Sequence, residues 1–211
     1  MTNHEGSIDT QAEAAVRTPD GRAPRVAVCE YGAGNVRSVV VAFRRLGADV
    51  VVTEDPAEVA AADLAVLPGV GAAATAMRGL VERGLDLALQ ERVAAGRPTL
   101  GICLGLQLAV ESSEEDGGVP GLGILPGRAV LLREGRVPRI GWAPVEPGGE
   151  AFYFAHSYAC DTPAASGRSE GVTAMAEQGS FVGVQFHPEK SGPAGARFLR
   201  AQLERAAAEA A

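Results

Sequence analysis

From Arg25 onward, short unbroken apolar runs alternate with stretches in which apolar positions recur at helical spacing. Unbroken runs suit strands buried on both faces, and the helical recurrence suits amphipathic helices packed on a sheet. "RVAVCEY" reads as a buried strand. After a Gly-rich turn, "NVRSVVVAFRRLG" reads as a helix that stops at Gly47, where a left-handed residue ends the coil without a Cβ penalty. "ADVVVT" and "DLAVLPG" are further strands, and the acidic piece "EDPAEVAAA" between them predicts a short helix starting at Pro56. Residues 72–96 predict two helical segments broken at Gly84, with Gly96-Arg97-Pro98 ending the second. A strand ending near Leu100 and a helix over 106–110 then place Cys103 on the turn between them.

Beyond residue 120 the pattern changes to closely spaced strand candidates, "RAVLL", "RIGW", "AFYFAHSYAC", "VTAMAE" and "FVGVQFH", before a closing helix from about Pro193. The expected architecture is one α/β domain over residues 25–211, with a doubly wound, mostly parallel sheet and an antiparallel extension. Residues 1–24 are polar and read as a disordered N-terminal extension.

Composition narrows the function classes. A formal charge of -7 and a pI near 5.1 leave no basic stripe for a phosphate backbone or an anionic membrane, so neither nucleic acid nor membrane is an expected partner. No apolar stretch reaches the ~18 residues of a membrane span, and the N-terminus lacks the apolar core of a secretory signal. Cys29, Cys103 and Cys160 are odd in number and far apart, which argues against a disulfide framework or a zinc site. A reducing, cytoplasmic setting and no metal or cofactor are expected.

Three segments carry candidate chemistry. In "GICLGLQ", Cys103 stands on a Gly-x-Cys-x-Gly turn between strand and helix, which resembles a nucleophile elbow. Glycines permit a tight turn that exposes the side chain at the sheet edge, and the amide of Leu104 is free to face an oxyanion. A structural, buried cysteine is the alternative for this motif alone. In "VQFHPEK", His187 and Glu189 are two residues apart at an expected strand end, so their side chains share one side of an extended chain and the carboxylate can orient the imidazole. In "LPGVGAA", Gly69, Val70 and Gly71 follow a strand and offer backbone amides to complete an oxyanion hole, or serve only as a tight turn.

"PGVG", "GICLGLQ" and "QFHPE", in this order, resemble the class I glutamine amidotransferases. The resemblance implies a triad in which Cys103 attacks the glutamine side-chain amide, His187 carries the proton to the departing ammonia, and Glu189 orients His187. It also implies that Gln107, Ser157 and Tyr158, with Gly69 and Gly71, hold glutamine. "EYGAGNVRSV", "RIGW", "FYFAHSY" and "HPEKS" are similar to one branch, the glutaminase subunits of imidazole glycerol phosphate synthases. That branch implies a heterodimer with a (β/α)₈-barrel cyclase that receives the ammonia, and an oxyanion hole finished by reorientation of the Val70 peptide in the complex. Glu30 and Ala143 stand where this branch has Asp and Asn, and the segment 165–177 is short. Lys190, the one lysine among 19 basic residues, is expected to face the subunit interface. A glutaminase serving another synthase, a catalytically silent regulator and a cysteine peptidase are the competing readings.

Overall fold

The computed structural model describes residues 15–32 and 35–210. The first half winds through β1 (Arg25–Cys29), α1 (Val36–Arg45), β2 (Asp49–Thr53), α2 (Pro56–Ala61), β3 (Leu64–Leu67), α3 (Ala73–Glu82), α4 (Leu85–Ala94), β4 (Thr99–Ile102) and α5 (Leu104–Ala109). The second half is β5 (Ser112–Ser113), β6 (Val119–Pro120), β7 (Arg128–Leu131), β8 (Arg139–Val145), β9 (Glu150–His156), β10 (Tyr158–Asp161), β11 (Ala165–Ser169), β12 (Val172–Gln178), β13 (Phe181–Val184) and α6 (Gly192–Ala208).

Seven strands form the main sheet in the order β11-β12-β13-β4-β3-β1-β2. β13, β4, β3, β1 and β2 run parallel, and β12 and β11 extend the sheet antiparallel. This is the expected mostly parallel sheet with an antiparallel extension. A four-stranded sheet, β10-β7-β5-β6, and the β8-β9 hairpin flank it.

The alternation of side chains along each strand divides the interior in two. Val26, Val28, Leu64, Val66, Leu100 and Ile102 point to one face, where they meet Phe43 of α1 and Leu199 and Leu203 of α6. Ala27, Cys29, Ala65 and Leu67 point to the other, against Leu80 of α3, Leu89 of α4 and Leu106 of α5. Unbroken apolar strands are thus covered on both sides, which is the doubly wound arrangement. α2 begins where expected: Asp55 accepts a hydrogen bond from Ala57 N at 2.8 Å, and Pro56 opens the first turn.

Three local expectations are corrected. Residues 15–24, read as part of a disordered extension, pack on the domain: Val16 joins the α1/α6 core and its N–H donates to Leu46 O. Residues 1–14 of that expectation, and residues 33 and 34 of the Gly-rich turn after β1, lie outside the described residues. "AFYFAHSYAC" is two strands parted at Ser157, because β9 pairs with β8 whereas β10 pairs with β7. "FVGVQFH" leaves the ladder after Val184, so Gln185, Phe186 and His187 are not strand residues.

Candidate active site

Register brings the sequence-distant motifs together. Leu67 pairs with Gly101 and Val184 pairs with Ile102, so the residues following β3, β4 and β13 emerge side by side at one edge of the sheet. In open α/β sheets this carboxyl edge is where ligands bind. Cys103 stands at its centre, with its N–H donating to Val184 O at 2.7 Å.

The turn is strained at the cysteine itself. Cys103 has φ 54° and ψ −103°, a region that L-residues rarely adopt and that costs on the order of 1–3 kcal/mol. The flanking glycines have a different task. A Cβ at Gly105 would lie 1.9 Å from Leu67 O, and one at Gly101 would lie 2.8 Å from the Phe181 ring and 2.9 Å from Gly105 C. They are glycine because α5 must press onto β3 and β4, and the strain falls on the residue between them. The helix starts at Leu104, two residues earlier than expected, so the Leu104 N–H belongs to a first turn whose amides lack intrahelical acceptors. Cys103 is also less open than an elbow predicts, at 5% exposure, because Ala155 of β9 arches over it with its carbonyl 4.0 Å from Sγ.

His187 and Glu189 meet by a different local route from the extended chain expected. His187 is the last extended residue, and Pro188–Lys190 form a single 3₁₀ turn that folds Glu189 back onto the ring. Glu189 Oε1 lies 2.9 Å from His187 Nδ1, and both side chains are almost fully buried. The loop is pinned in three places: His187 N–H donates to Tyr153 O (2.8 Å), Ser191 Oγ donates to His187 O (2.7 Å), and Tyr153 N–H donates to Ser191 Oγ (3.0 Å). Burial opposes a charged imidazolium, yet hydrogen bonds donated by the ring to the Cys103 sulfur and the Glu189 carboxylate outweigh it and push His187 up to about 9. With Nδ1 committed to Glu189, Nε2 is the nitrogen left for sulfur.

Cys103 opens on a cavity of about 280 Å³ whose walls include Val70, Gly71, Leu104, Gln107, Ser157 and Tyr158. That volume suits a small amino acid better than a polymer. Gly69 does not line it. A Cβ there would come within 2.7 Å of Leu104 Cβ and 2.8 Å of Tyr31 Oη, so this glycine lets the post-β3 loop lie against the elbow. A larger cleft of about 820 Å³, lined by Arg128, Arg136, Arg139 and Arg168 among others, contains no triad residue.

Glu115, Pro138, Ile140, Ala155 and His156 also line the small cavity and were not singled out from sequence. His156 is held by burial as the neutral ring, with its pKa lowered to about 4, and Nδ1 donates to Tyr158 O at 2.9 Å. Gln185, fully buried beside the sulfur, was missed as well. The signal for it was available only as one polar residue within the apolar "FVGVQF". All three cysteines are free and buried, and no group of residues suited to holding a metal occurs among the described residues.

Comparisons with known proteins bear on the family and the fold. The profile of the family "Glutamine amidotransferase class-I" matches residues 27–206. The chain is 44% identical over 193 residues to imidazole glycerol phosphate synthase subunit HisH of Symbiobacterium thermophilum, spanning 83% of this chain and 91% of that one. It is 43% identical over 195 residues to the subunit of the same name from Methanothermobacter thermautotrophicus, spanning 85% and 98%. Among solved structures, a glutamine amidotransferase superposes with TM-score 0.73 at 21% identity, covering 86% of this chain and 98% of the other. A glutamine amidotransferase from Thermotoga maritima superposes with TM-score 0.61 at 20% identity, covering 87% and 98%. These structural likenesses speak for the fold, and the sequence matches speak for descent. The chain belongs to the class I glutamine amidotransferase family.

Proposed function

We infer that this chain is the glutaminase subunit of an imidazole glycerol phosphate synthase, hydrolysing glutamine to glutamate and ammonia for use by a cyclase subunit in histidine biosynthesis. The observation that carries the reading is a strained, buried Cys103 at the mouth of a small cavity, coupled to a His187–Glu189 pair, in a chain about 44% identical to HisH subunits.

Cys103 passes its thiol proton to His187 Nε2, and Sγ attacks Cδ of the glutamine carboxamide. Negative charge gathers on the former carbonyl oxygen, facing the Leu104 amide and the loop of Gly69, Val70 and Gly71. As the C–N bond breaks, protonated His187 delivers its proton to the departing nitrogen and ammonia leaves. A γ-glutamyl thioester remains. Water then adds to the thioester carbonyl while His187 takes its proton, and collapse returns glutamate and the free thiol. Glu189 holds the ring in the tautomer that presents Nε2 to sulfur throughout. Gln107, Ser157 and Tyr158 line the cavity at positions suited to the amino-acid end of glutamine.

Ammonia is useful only if it does not escape to water, and the outer surface offers a place for a partner. On the hairpin, Ile140 is 64% and Trp142 58% exposed, while Phe152 and Phe154 on the opposite face are buried. A hairpin usually turns polar side chains outward. Here both faces are apolar, and Ile140 and exposed Val70 also line the glutamine cavity. Together they support docking of a cyclase barrel across the cavity mouth, with ammonia leaving into the partner and the Val70 peptide responding to its arrival. Lys190, exposed and one residue from Glu189, lies where it could meet a partner carboxylate. A cytoplasmic location fits this biosynthetic role. No helix among the described residues is long and apolar enough to cross a membrane.

The test is glutamate release by the full chain alone and with the cyclase and its nucleotide substrate, with Cys103→Ala as the blank. Release that needs all components and disappears in the blank is expected. Equal release with or without that cyclase would point to another synthase, and release by Cys103→Ala would remove the nucleophile assignment.

A further inference from the structure

One chain of side-chain amides connects the glutamine cavity to the reactive sulfur. Gln107 Nε2 is 2.7 Å from Tyr158 O and 3.1 Å from Gln185 Oε1, and Gln185 Nε2 is 3.6 Å from Cys103 Sγ. The orientation of both amides follows from chemistry. A backbone carbonyl can only accept, and Tyr158 O also accepts from His156 Nδ1, so Gln107 must turn its NH₂ group toward it. That same NH₂ reaches Gln185, which must therefore turn its oxygen to Gln107. The NH₂ of Gln185 is left facing sulfur, and no other orientation leaves every contact with one donor and one acceptor.

The backbone holds this chain rigidly. Val184 is paired with Ile102, so Gln185 stands level with Cys103 on the neighbouring strand's exit, and Gln185 N–H is fixed to Ala174 O at 2.9 Å. Gln185 is fully buried, in a segment whose other members are apolar. A fully buried carboxamide is disfavoured unless its hydrogen bonds are made, and here its partners are the nucleophile and a wall of the substrate cavity.

We propose that Gln185 is a positioning residue for glutamine hydrolysis, donating a hydrogen bond to Cys103 Sγ while its oxygen holds the Gln107 amide at the substrate cavity. A hydrogen bond to sulfur strengthens as negative charge gathers there, so the contact favours the attacking form and aims it, complementing His187 on another side. Seating of Gln107 against glutamine is thereby linked to the nucleophile through one side chain. The proposal rests on the assignment of Cys103 as nucleophile.

Two substitutions separate the two ends. Gln185→Glu retains an oxygen for Gln107 but loses the donor to sulfur; Gln185→Met loses both at similar volume. Glutamine kinetics in the complex with cyclase and nucleotide, and the rate of Cys103 alkylation by iodoacetamide in the full chain alone, are measured for each. For Gln185→Glu, kcat and alkylation are expected to fall roughly 10-fold or more with KM within about twofold, the size of one charge-assisted hydrogen bond. For Gln185→Met, KM is expected to rise roughly fivefold in addition, as Gln107 loses a partner. If Gln185→Glu does not fold, Gln185→Met carries the test by the alkylation rate. Wild-type alkylation and kcat in a folded variant, or lost activity with alkylation unchanged, would overturn the proposal. Activity in Cys103→Ala would overturn the nucleophile assignment instead, and the two failures are distinct.

Discussion

At the scale of single residues, the site is a set of groups whose charge states are chosen by their surroundings. His187 and His156 are near enough to interact electrostatically yet are driven in opposite directions. Burial is the largest cause that holds His156 neutral, against the hydrogen bond to Tyr158 O and with Arg139 and His187 adding to it, whereas hydrogen bonds to Cys103 and Glu189 reverse the effect of burial at His187. The linkage signs differ accordingly. His187, raised from 6.5 to about 9, contributes stability that is complete below 6.5 and drains away as pH rises through 9. His156, lowered to about 4, contributes stability that is present above 6.5 and lost as pH falls through 4. Urea unfolding of the wild type between pH 6 and 10 should therefore show a falling stability limb that is shallower in Glu189→Gln. That variant should also lose on the order of 10² in kcat, since the imidazole is no longer held in one tautomer. An unchanged pH slope in Glu189→Gln would show that the carboxylate does not set the charge of the ring.

At the scale of elements, the strands that carry the active edge are tied at their opposite ends by a buried arginine. Arg92 of α4 is 2% exposed and donates to Val59 O (2.9 Å) and Ala60 O (3.0 Å) in the last turn of α2, to Asp63 O before β3 (2.9 Å), and twice to Pro98 O before β4 (2.9 and 3.2 Å). Pro98 O also accepts from Ala65 N–H at 3.2 Å where β3 and β4 begin to pair, and a planar guanidinium is the one side chain that can reach all four carbonyls together. Burial lowers its pKa only to about 10, so it remains charged at neutral pH. Arg92→Leu is expected to cost about 3 kcal/mol, because several buried acceptors are stranded at once. The check is the urea midpoint, which should fall with the m-value unchanged. The hairpin has an equivalent anchor: Arg139 lies 4.4 Å over the Phe154 ring and donates to Ser169 Oγ at 2.7 Å, which ties β8 to β11 beside the cavity.

At the scale of the molecule, a two-faced apolar hairpin and a cavity that shares its residues mark the side proposed for docking of the cyclase. Trp142 meets Tyr153 edge-on, with ring centroids 6.1 Å apart, so it is held in place while remaining 58% exposed. An immobilised, exposed tryptophan loses little further entropy on docking and is the type of side chain that dominates interface energies. Trp142→Ala should weaken association with the cyclase roughly 30-fold, while glutamine-independent stability of the isolated chain changes little. Titration calorimetry with the cyclase, beside thermal melts of the chain alone, separates these effects. Unchanged affinity would move the docking surface away from the hairpin.

The sequence by itself determined the strand–helix alternation, the break at Gly84, the elbow at Cys103 and the adjacency of His187 and Glu189, because each depends on periodicity or on residues close along the chain. It accounted for the elbow's glycines by a tight turn alone, whereas those at 101 and 105 answer to Leu67 O and Phe181, which come near only when β3, β4 and β13 are paired. Gln185 looked like one polar residue in an apolar run. Its meaning depends on register, which sets it beside Cys103 and Gln107, both about eighty positions earlier. The packing of residues 15–24 was illegible for the same reason, since Val16 is buried only by helices that follow it. Local propensity is written in neighbouring residues. The amide chain to the sulfur, the cover that Ala155 lays over it and the outward face of Trp142 were decided by tertiary structure, where hydrogen-bond satisfaction and burial act between segments that the chain order keeps apart.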